Sequence, residues 1–501
     1  MVPKERYVHL IDLILHDNSI TLTAGADQTV ISAVRCDSRT VNAGTLFVCI
    51  AGETSDGHDF IADACSAGAS AILTDGRPVS VPDGVAVITA ANVAHAYGRL
   101  CSRFWPRRSG MLVGVTGTNG KTSVCEYLRQ IWQLATWPAA AMGTLGITCP
   151  ADKVADTVTT LTTPQAETLF SNLDLLADAG ISHTAFEASS HGLAQGRLSG
   201  LGVNVAVFTN LSRDHLDWHS DMDQYFDAKA RLFDENLMDG GIAVINNDDA
   251  YGKALIKRLA GRHIVLWTVG MSAESAFCIK DITPQSFGLD LSLSHQGQVF
   301  HFPIALSGQF QAVNAVMAAV AAYASGMPLQ DSFGALPSLQ PVRGRMQPVH
   351  GHPLGARVII DYAHTPDALA AALNALRAET SGNLFVVFGC GGDRDKGKRA
   401  QMGQVATDKA NHVIITDDNP RTEDPALIRD EIRTGCPDSV AVWPRDNAIR
   451  QAITQMSAHD SLLIAGKGHE TVQMIGTETL PFDDAAVARN TIARLQEDSA
   501  C

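Results

Sequence analysis

A lysine set among glycines and hydroxyl residues, T-G-T-N-G-K-T-S at 116–123, directly follows the apolar run 111–115 and opens a helical pattern. Glycines let successive backbone N–H groups turn toward one anion. A helix amino terminus adds a positive dipole, and the lysine can reach the outer phosphates. The segment predicts a nucleoside triphosphate site built from Gly117, Thr118, Asn119, Gly120, Lys121, Thr122 and Ser123, with Thr122 or Ser123 placed to hold magnesium. The strict pattern G-x-x-x-x-G-K-[ST] fails, because Val115 stands where its first glycine belongs.

Two further segments, E-A-S-S-H-G-L-A-Q-G-R at 187–197 and T-N-L-S-R-D-H-L-D at 209–217, also follow apolar runs directly. Oxygen-rich groups beside a phosphate loop suit a hard magnesium ion, and Glu187 is the expected side-chain ligand. A histidine after a strand is more often a structural residue than a ligand, so spacing leaves His215 undecided. Lys229, at the end of Y-F-D-A-K in a helical pattern, gains no function from its spacing.

The last third is the most regular. Apolar runs at 357–360, 384–388, 412–415, 440–442 and 462–465 alternate with helix-like segments, which argues for parallel βαβ units. Four of these runs end in chemically loaded loops, D-Y-A-H-T-P-D at 361–367, G-C-G-G-D-R-D-K at 389–396, D-D-N-P-R at 417–421 and G-K-G-H-E at 466–470. Ligands of open α/β sheets bind beyond the carboxyl ends of the strands, so the four loops are expected to converge on one cleft. His364 or a carboxylate near it is nominated there as a proton acceptor, without a decision between them.

The elements that must position these loops fall into three blocks. Short apolar runs separated by Gly and Asp between residues 35 and 105 suggest a small α/β unit, and W-P-R-R-S-G at 105–110 reads as a linker. The second block holds the phosphate loop, apolar runs at 203–208 and 242–245, an alternating stretch at 277–304 that predicts antiparallel strands, and a helix over 310–324. The expected fold class is α/β with three domains: residues 1–107, 108–341 with a P-loop ATPase-like, mainly parallel sheet, and 342–501 with a Rossmann-like arrangement. A chain of 501 residues exceeds one hydrophobic core. With 46% hydrophobic and 18% charged residues it has a globular composition. The net charge of −15 argues against broad nucleic-acid binding, which needs a basic face. Ten scattered cysteines without a C-x-x-C pair, a poor secretory start and no window of about 20 apolar residues predict a reduced, cytoplasmic chain without membrane insertion.

The compact T-G-T-N-G-K-T form is a variant seen in Mur ligases and folylpolyglutamate synthetases. Together with E-A-S-S-H-G-L, T-N-L-S-R-D-H-L-D, Y-F-D-A-K, L-Q-P-V-x-G-R-M, D-Y-A-H-T-P-D, F-G-C-G-G-D-R-D-K-G-K-R, D-D-N-P-R and G-K-G-H-E, in that order over nearly the whole chain, it resembles the Mur ligases. That resemblance implies a monomeric ligase that uses ATP and magnesium to join an amino acid to a UDP-N-acetylmuramoyl peptide through an acyl phosphate. It implies Lys121, Glu187, His215 and Lys229 in catalysis. Thr122, Glu187, His215 and Lys229 would lie at the metal, with Lys229 carrying a carbamate from carbon dioxide. Asn314, Arg345 and Asp361 would surround the nucleotide. Cys36, Ser38, Glu53, Thr54 and Ser55 would meet the UDP end, and Thr162, Thr163, Ser189, Gln195 and Arg197 the muramoyl-dipeptide side. Two positions depart from the family pattern. Gln311 replaces an asparagine and is expected to loosen one ATP contact, and Leu161 stands where a relative has asparagine.

The incoming amino acid is expected at the loop Asp418, Asn419, Pro420 and Arg421, and the resemblance implies that Arg394, Gly466 and Glu470 complete its site. A guanidinium forms two parallel hydrogen bonds to a carboxylate, and meso-diaminopimelate differs from lysine by one distal carboxylate. Arg421 therefore points to meso-diaminopimelate added to UDP-N-acetylmuramoyl-L-alanyl-D-glutamate. A lysine-adding Mur ligase, a folylpolyglutamate synthetase and a P-loop regulator or mechanical ATPase are the alternatives at this stage.

Overall fold

The computed structural model describes residues 6–52, 55–150, 161–215, 218–285 and 288–500. The first block forms a five-stranded sheet in the order Ile20–Ala24, Ala86–Ala90, Ala69–Thr74, Thr45–Val48, Ala33–Arg35, parallel except for the first pair. The predicted linker is coil, yet it is firmly tied. Arg107 donates to Asp174 Oδ2 at 2.9 Å, and its backbone N–H donates to Asp174 Oδ1 at 2.9 Å.

The second block is a ten-stranded sheet. Its parallel core runs Ala139–Gly143, His183–Glu187, Met111–Thr116, Val203–Phe208, Leu237–Asn246, Val265–Gly270, Phe277–Gln285. Gly288–His295 and Gln298–Ile304 add the antiparallel edge expected from the alternating stretch. Glu187 pairs in register with Val115, and Phe208 with Thr116, so three chemically loaded segments leave neighbouring strands side by side. Behind the sheet lies the helix Gln309–Ala324, buried on nearly every face and rich in alanine. Small side chains all round suit a helix with neighbours on each side.

The third block is a six-stranded sheet in the order Gln347–Val349, Arg357–Asp361, Ser461–Ala465, Leu384–Phe388, His412–Ile415, Val440–Ala441, parallel after its first strand. The four strands bearing loaded loops are adjacent, so the loops share one edge of the sheet, as the alternation predicts. Two fully buried arginines brace them. Arg445 pairs with Asp484 at 2.7 Å and donates to Ala465 O at 2.9 Å. Arg399 pairs with Glu423 and Glu431 and donates to Gly391 O at 3.1 Å. Among the described residues no helix is long and apolar enough to cross a membrane.

Candidate active site

The phosphate loop is folded by its neighbours as well as by its own glycines. Thr118 N donates to Asn210 O at 2.8 Å, Asn119 N donates to Asn210 Oδ1 at 3.0 Å, and Thr209 Oγ1 donates to Asn119 O at 2.6 Å. A Cβ on Gly117, whose φ is +145°, would meet Thr209 Oγ1 at 1.9 Å, so no larger residue fits this approach. Lys121 Nζ folds back onto Gly117 O and Thr118 O at 2.9 and 2.8 Å. Ser123 is buried one residue beyond Thr122 at the start of the helix Lys121–Leu134.

Glu187 is the hub beside this loop. Its carboxylate accepts from Thr122 Oγ1 at 3.0 Å, from Thr144 N at 2.8 Å and from Thr144 Oγ1 at 3.2 Å. Thr144 is a residue that the motif reading passed over. Its signal was M-G-T directly after an apolar run, and Gly143 is required because a Cβ there would lie 2.2 Å from Glu187 Oε1. Thr144 Oγ1 also lies 3.3 Å from Thr162 Oγ1, within hydrogen-bond distance, and Thr163 Oγ1 donates to Glu187 O at 2.8 Å. Arg197 donates to Thr163 O at 2.5 Å and to Gln195 Oε1 at 2.6 Å, while Ser189 caps its helix by accepting from Gly192 N. Thr162, Thr163, Ser189, Gln195 and Arg197 thus form one connected patch against Glu187. Leu161 is largely exposed beside it.

Lys229 is buried, with Nζ donating to Gly117 O at 2.8 Å and lying 4.4 Å from the Tyr225 ring centroid. Burial, and then the positive Lys121, hold its ammonium well below the usual lysine range. A lysine so placed favours the neutral amine, the form that attacks carbon dioxide. His215 lies 6.1 Å from the same Tyr225 ring and 4.8 Å from His191, with Asp214 Oδ2 at 3.5 Å from its Nε2. Burial lowers His215 to about 4, against the pull of Asp214. Among the described residues no group of three or more His, Cys, Asp or Glu side chains gathers as a ready metal cage. Thr122 and Glu187 supply a hydroxyl and a carboxylate, the sparse oxygen set that suits magnesium held largely by water and phosphate.

Asn314 abuts the loop, since a Cβ on Gly120 would meet Asn314 Oδ1 at 2.5 Å. Gln311 does more here than leave a contact loose. Its buried Oε1 accepts from Asn314 Nδ2 and from Tyr127 Oη, both at 3.2 Å, and so fixes the Asn314 amide. From the third block Arg345 Nη2 donates to Thr122 Oγ1 at 3.0 Å while stacking on Tyr362 at 4.6 Å. Asp361 accepts from Met346 N at 2.7 Å, and burial pushes its carboxyl up to about 6. His364 donates Nδ1–H to Tyr362 O at 2.9 Å, and burial lowers its pKa below the ordinary imidazole value, which favours the neutral ring with Nε2 as an acceptor.

On the same edge, Asn419 Nδ2 donates to Glu470 Oε2 at 2.8 Å, and Lys467 Nζ donates to that oxygen at 2.9 Å. Arg421, at a left-handed φ of 52°, donates Nη1 to Gly392 O at 2.7 Å and its backbone N–H to Met474 O at 3.1 Å. A Cβ on Gly466, at φ +112°, would come 2.6 Å from Asp418 Oδ2, and one on Gly392 would come 1.9 Å from Pro420 O. Arg394 is exposed beside these loops. Asp418, Asn419, Pro420, Arg421, Gly466 and Glu470 are therefore gathered at one place.

The expected UDP-end residues are spread differently. Cys36 and Ser38 lie at the end of the first block's sheet, where an open cleft is lined by Arg35, Thr40, Glu167, Thr168 and Ser171. Tyr97 Oη donates to Glu167 Oε2 at 2.9 Å, and burial raises both the Glu167 carboxyl and the Cys36 thiol. Ser55 is exposed; Glu53 and Thr54 lie outside the described residues.

Three family models match in succession: Mur ligase family, catalytic domain, over residues 30–105; Mur ligase middle domain over 115–322; and Mur ligase, glutamate ligase domain, over 344–468. The chain belongs to the Mur ligase family. It is 43% identical over 460 residues to the UDP-N-acetylmuramoyl-L-alanyl-D-glutamate–2,6-diaminopimelate ligase of Zymomonas mobilis, covering 91% of this chain and 93% of the relative. It is 42% identical over 490 residues to the ligase of the same name from Bradyrhizobium diazoefficiens, covering 97% and 99%. A solved structure of a ligase with that name matches with a TM-score of 0.70 at 32% identity, covering 98% of this chain and 100% of that one. A Mycobacterium tuberculosis folylpolyglutamate synthase shares the fold at TM-score 0.61 and 19% identity, covering 78% and 92%. The three-domain Mur ligase fold is thus common ground between sequence and structure.

Proposed function

We infer that this Mur ligase joins meso-2,6-diaminopimelate to the D-glutamate side-chain carboxylate of UDP-N-acetylmuramoyl-L-alanyl-D-glutamate, with ATP converted to ADP and phosphate, in peptidoglycan precursor synthesis. The observation that carries the reading is the meeting of two surfaces at Arg345 and Thr122, which sets the phosphate loop against the strand-end loops of the third block. Relatives above 40% identity across most of the chain carry the name of that reaction.

A carboxylate does not react with an amine at neutral pH, because its leaving group would be an oxide. The γ-phosphoryl group moves to a carboxylate oxygen, its bond to ADP breaking as the acyl phosphate forms. The amine nitrogen then bonds to the acyl carbon, the carbon–oxygen bond to phosphate breaks, and a proton leaves the nitrogen. The protein's task is to hold two anions together and in line, which is positioning and electrostatics. Lys121, released from Gly117 O and Thr118 O, supplies the cation at the outer phosphates. Magnesium held by Thr122 and Glu187, with His215 and a carbamate on Lys229 beside it, would neutralise phosphate charge when bound. Asn314, Arg345 and Asp361 border the nucleotide. Cys36, Ser38, Glu53, Thr54 and Ser55 take the UDP end, and the patch from Thr162 to Arg197 takes the muramoyl dipeptide. Residues 1–107, 108–341 and 342–501 are the three domains that carry these tasks, and the chain acts in the cytoplasm as a monomer. Amide formation needs the phosphate and amino-acid sites brought together, so domain closure accompanies turnover.

Arg421 gives the amino-acid choice, because its planar fork matches the carboxylate that diaminopimelate has and lysine lacks. Measuring ADP release with UDP-N-acetylmuramoyl-L-alanyl-D-glutamate, while offering diaminopimelate, lysine, or folate plus glutamate in turn, tests the reading. Release that is far more efficient with diaminopimelate than with lysine is expected. Equal or better release with lysine, release with folate plus glutamate, or release without any amino acid would overturn it.

A further inference from the structure

Lys467 is the middle residue of G-K-G, and its side chain is fully buried, although nothing in the reaction as described requires a cation there. Lysine is among the residues least often buried completely, and it is retained inside a protein when its ammonium is paired and hydrogen-bonded. Its partners here are specific. Nζ donates to Asn419 Oδ1 at 3.0 Å and to Glu470 Oε2 at 2.9 Å, and Asn419 Nδ2 donates to that same Glu470 oxygen at 2.8 Å. The three side chains close a triangle between two loops that leave different strands, Ser461–Ala465 and His412–Ile415.

The triangle removes two freedoms that a recognition site cannot leave open. Asn419 Oδ1 accepts from Lys467 and also from Met474 N at 3.0 Å, so the amide is held in one orientation, with Nδ2 turned to Glu470. Glu470 Oε2 receives two donors, and Glu470 is exposed enough, at 28% of its side chain, for its other oxygen to face an incoming ammonium. Without the lysine, Asn419 loses one of the two donors that fix its amide, and Glu470 regains its rotamers. A preorganised site would become one that binding must order, at a cost in affinity.

We propose that Lys467 is a specificity-determining positioning residue: it touches no reacting atom, but fixes Asn419 and, with it, Glu470, so that the Glu470 carboxylate receives the ammonium of the amino-acid substrate. This deepens the functional reading above and rests on it. Its place is consistent with the glycines around it. A Cβ on Gly468, at φ +55°, would meet Tyr362 Cβ at 2.7 Å, and one on Gly466 would meet Asp418, so the loop is held tightly enough for Lys467 to act on its neighbours.

The test is a double-mutant cycle on the full chain, with Lys467→Met, Glu470→Gln and the pair, scored by ADP release. Lys467→Met should raise the KM for meso-diaminopimelate roughly 30-fold, the scale for breaking a buried hydrogen-bonded charge pair. The KM values for ATP and for the UDP-muramoyl peptide, and kcat at saturating amino acid, should change less than about threefold. In the Glu470→Gln background the same substitution should add less than about threefold, because the group it positions is already altered. Equal loss in all three KM values and kcat, or full additivity in the pair, would overturn the proposal and make Lys467 a structural residue only. If Lys467→Met does not fold, Lys467→Gln, which can still donate to Glu470, should fold and give an intermediate KM for diaminopimelate; a wild-type KM in that variant also counts against the proposal. A wild-type chain that ignores diaminopimelate would instead refute the functional reading, so the two failures are distinguishable.

Discussion

Arg345 reaches out of the third block to donate to Thr122 Oγ1 at 3.0 Å, and the Thr122 hydroxyl in turn donates a hydrogen bond to Glu187 Oε1 at 3.0 Å. The chain that runs from the amino-acid side to the phosphate loop therefore ends on the hydroxyl and carboxylate assigned to the metal. Its guanidinium stacks on Tyr362 and lies beside the buried Asp361, so it is oriented before any ligand arrives. Arg345→Ala should lower kcat/KM for ATP by about 10²-fold, the scale for losing one preorganised donor at developing charge. Arg345→Lys should recover only part of this, because an ammonium cannot stack as a plane. Steady-state kinetics with ATP varied checks both, and wild-type kinetics in Arg345→Ala would sink the assignment.

One residue earlier, Gly344 has a φ of +68°, and a Cβ there would lie 2.1 Å from His469 N. The approach of this segment to the G-K-G-H-E loop leaves no room for a methyl group. Gly344→Ala should destabilise the chain by more than about 2 kcal/mol, clash adding to left-handed strain. Gly355, at φ +76° with nothing within 4 Å of its would-be Cβ, is the control, and Gly355→Ala should cost only the strain, about 1 kcal/mol. Chemical denaturation of both variants decides, and equal losses would contradict the packing argument.

The loaded loops were legible because parallel strands buried on both faces read as apolar runs, and such runs announce where each loop begins. The runs at 384–388 and 412–415 coincide with the strands Leu384–Phe388 and His412–Ile415, and the helix expected over 310–324 is Gln309–Ala324. What stayed hidden depends on tertiary neighbours. Nothing in Y-F-D-A-K tells that Lys229 is buried against Gly117 O, because burial comes from a loop 112 positions away. Thr144 has no motif of its own and acquires meaning only through Glu187. The expectation for Gln311 concerned only a nucleotide contact, and its hydrogen bonds from both Tyr127 and Asn314 come from tertiary neighbours that the sequence does not show.

Asp361 gives a pH dependence with a definite sign. Its carboxyl stands at about 6 in the folded chain against 3.8 in the open one, with burial the main cause and Arg345 opposing it. Between these values the native state binds more protons at this site than the unfolded state, so its contribution to stability falls as pH rises through the window and is level above it. Asp361→Asn removes that slope. The stability of the variant relative to wild type should therefore climb by on the order of 2 kcal/mol from about pH 4 to about pH 6.5, then stay constant. Urea midpoints at several pH values measure it, and parallel curves would show that Asp361 does not titrate in this range.

Burial and the positive Lys121 hold the Lys229 ammonium well below the usual lysine range, which favours the neutral amine that takes up carbon dioxide. Protein equilibrated with 13C-bicarbonate should show one carbamate carbon signal that disappears in Lys229→Arg. The same variant should lose at least about 10²-fold in kcat, since a fixed cation replaces an anion beside the phosphates. An unchanged spectrum between wild type and Lys229→Arg would remove the carbamate from the site.

Arg421 combines two features that suit recognition better than scaffolding. Its backbone is locked in a left-handed conformation, with N–H bonded to Met474 O and its carbonyl accepting from Gly476 N at 2.7 Å, so the loop stays in place whichever side chain it carries. Among the described residues the guanidinium makes one hydrogen bond, Nη1 to Gly392 O, which leaves the rest of its fork for a carboxylate. Arg421→Ala should therefore cost roughly 2–5 kcal/mol of diaminopimelate recognition by leaving a desolvated carboxylate unpaired, while thermal stability changes little. The small activity with lysine should be nearly unaffected, because lysine brings no distal carboxylate to lose its partner. Discrimination between the two amino acids, measured as the ratio of kcat/KM values, should then collapse. A variant that binds diaminopimelate as tightly as before, or that loses lysine and diaminopimelate in equal measure, would take the choice of amino acid away from this arginine.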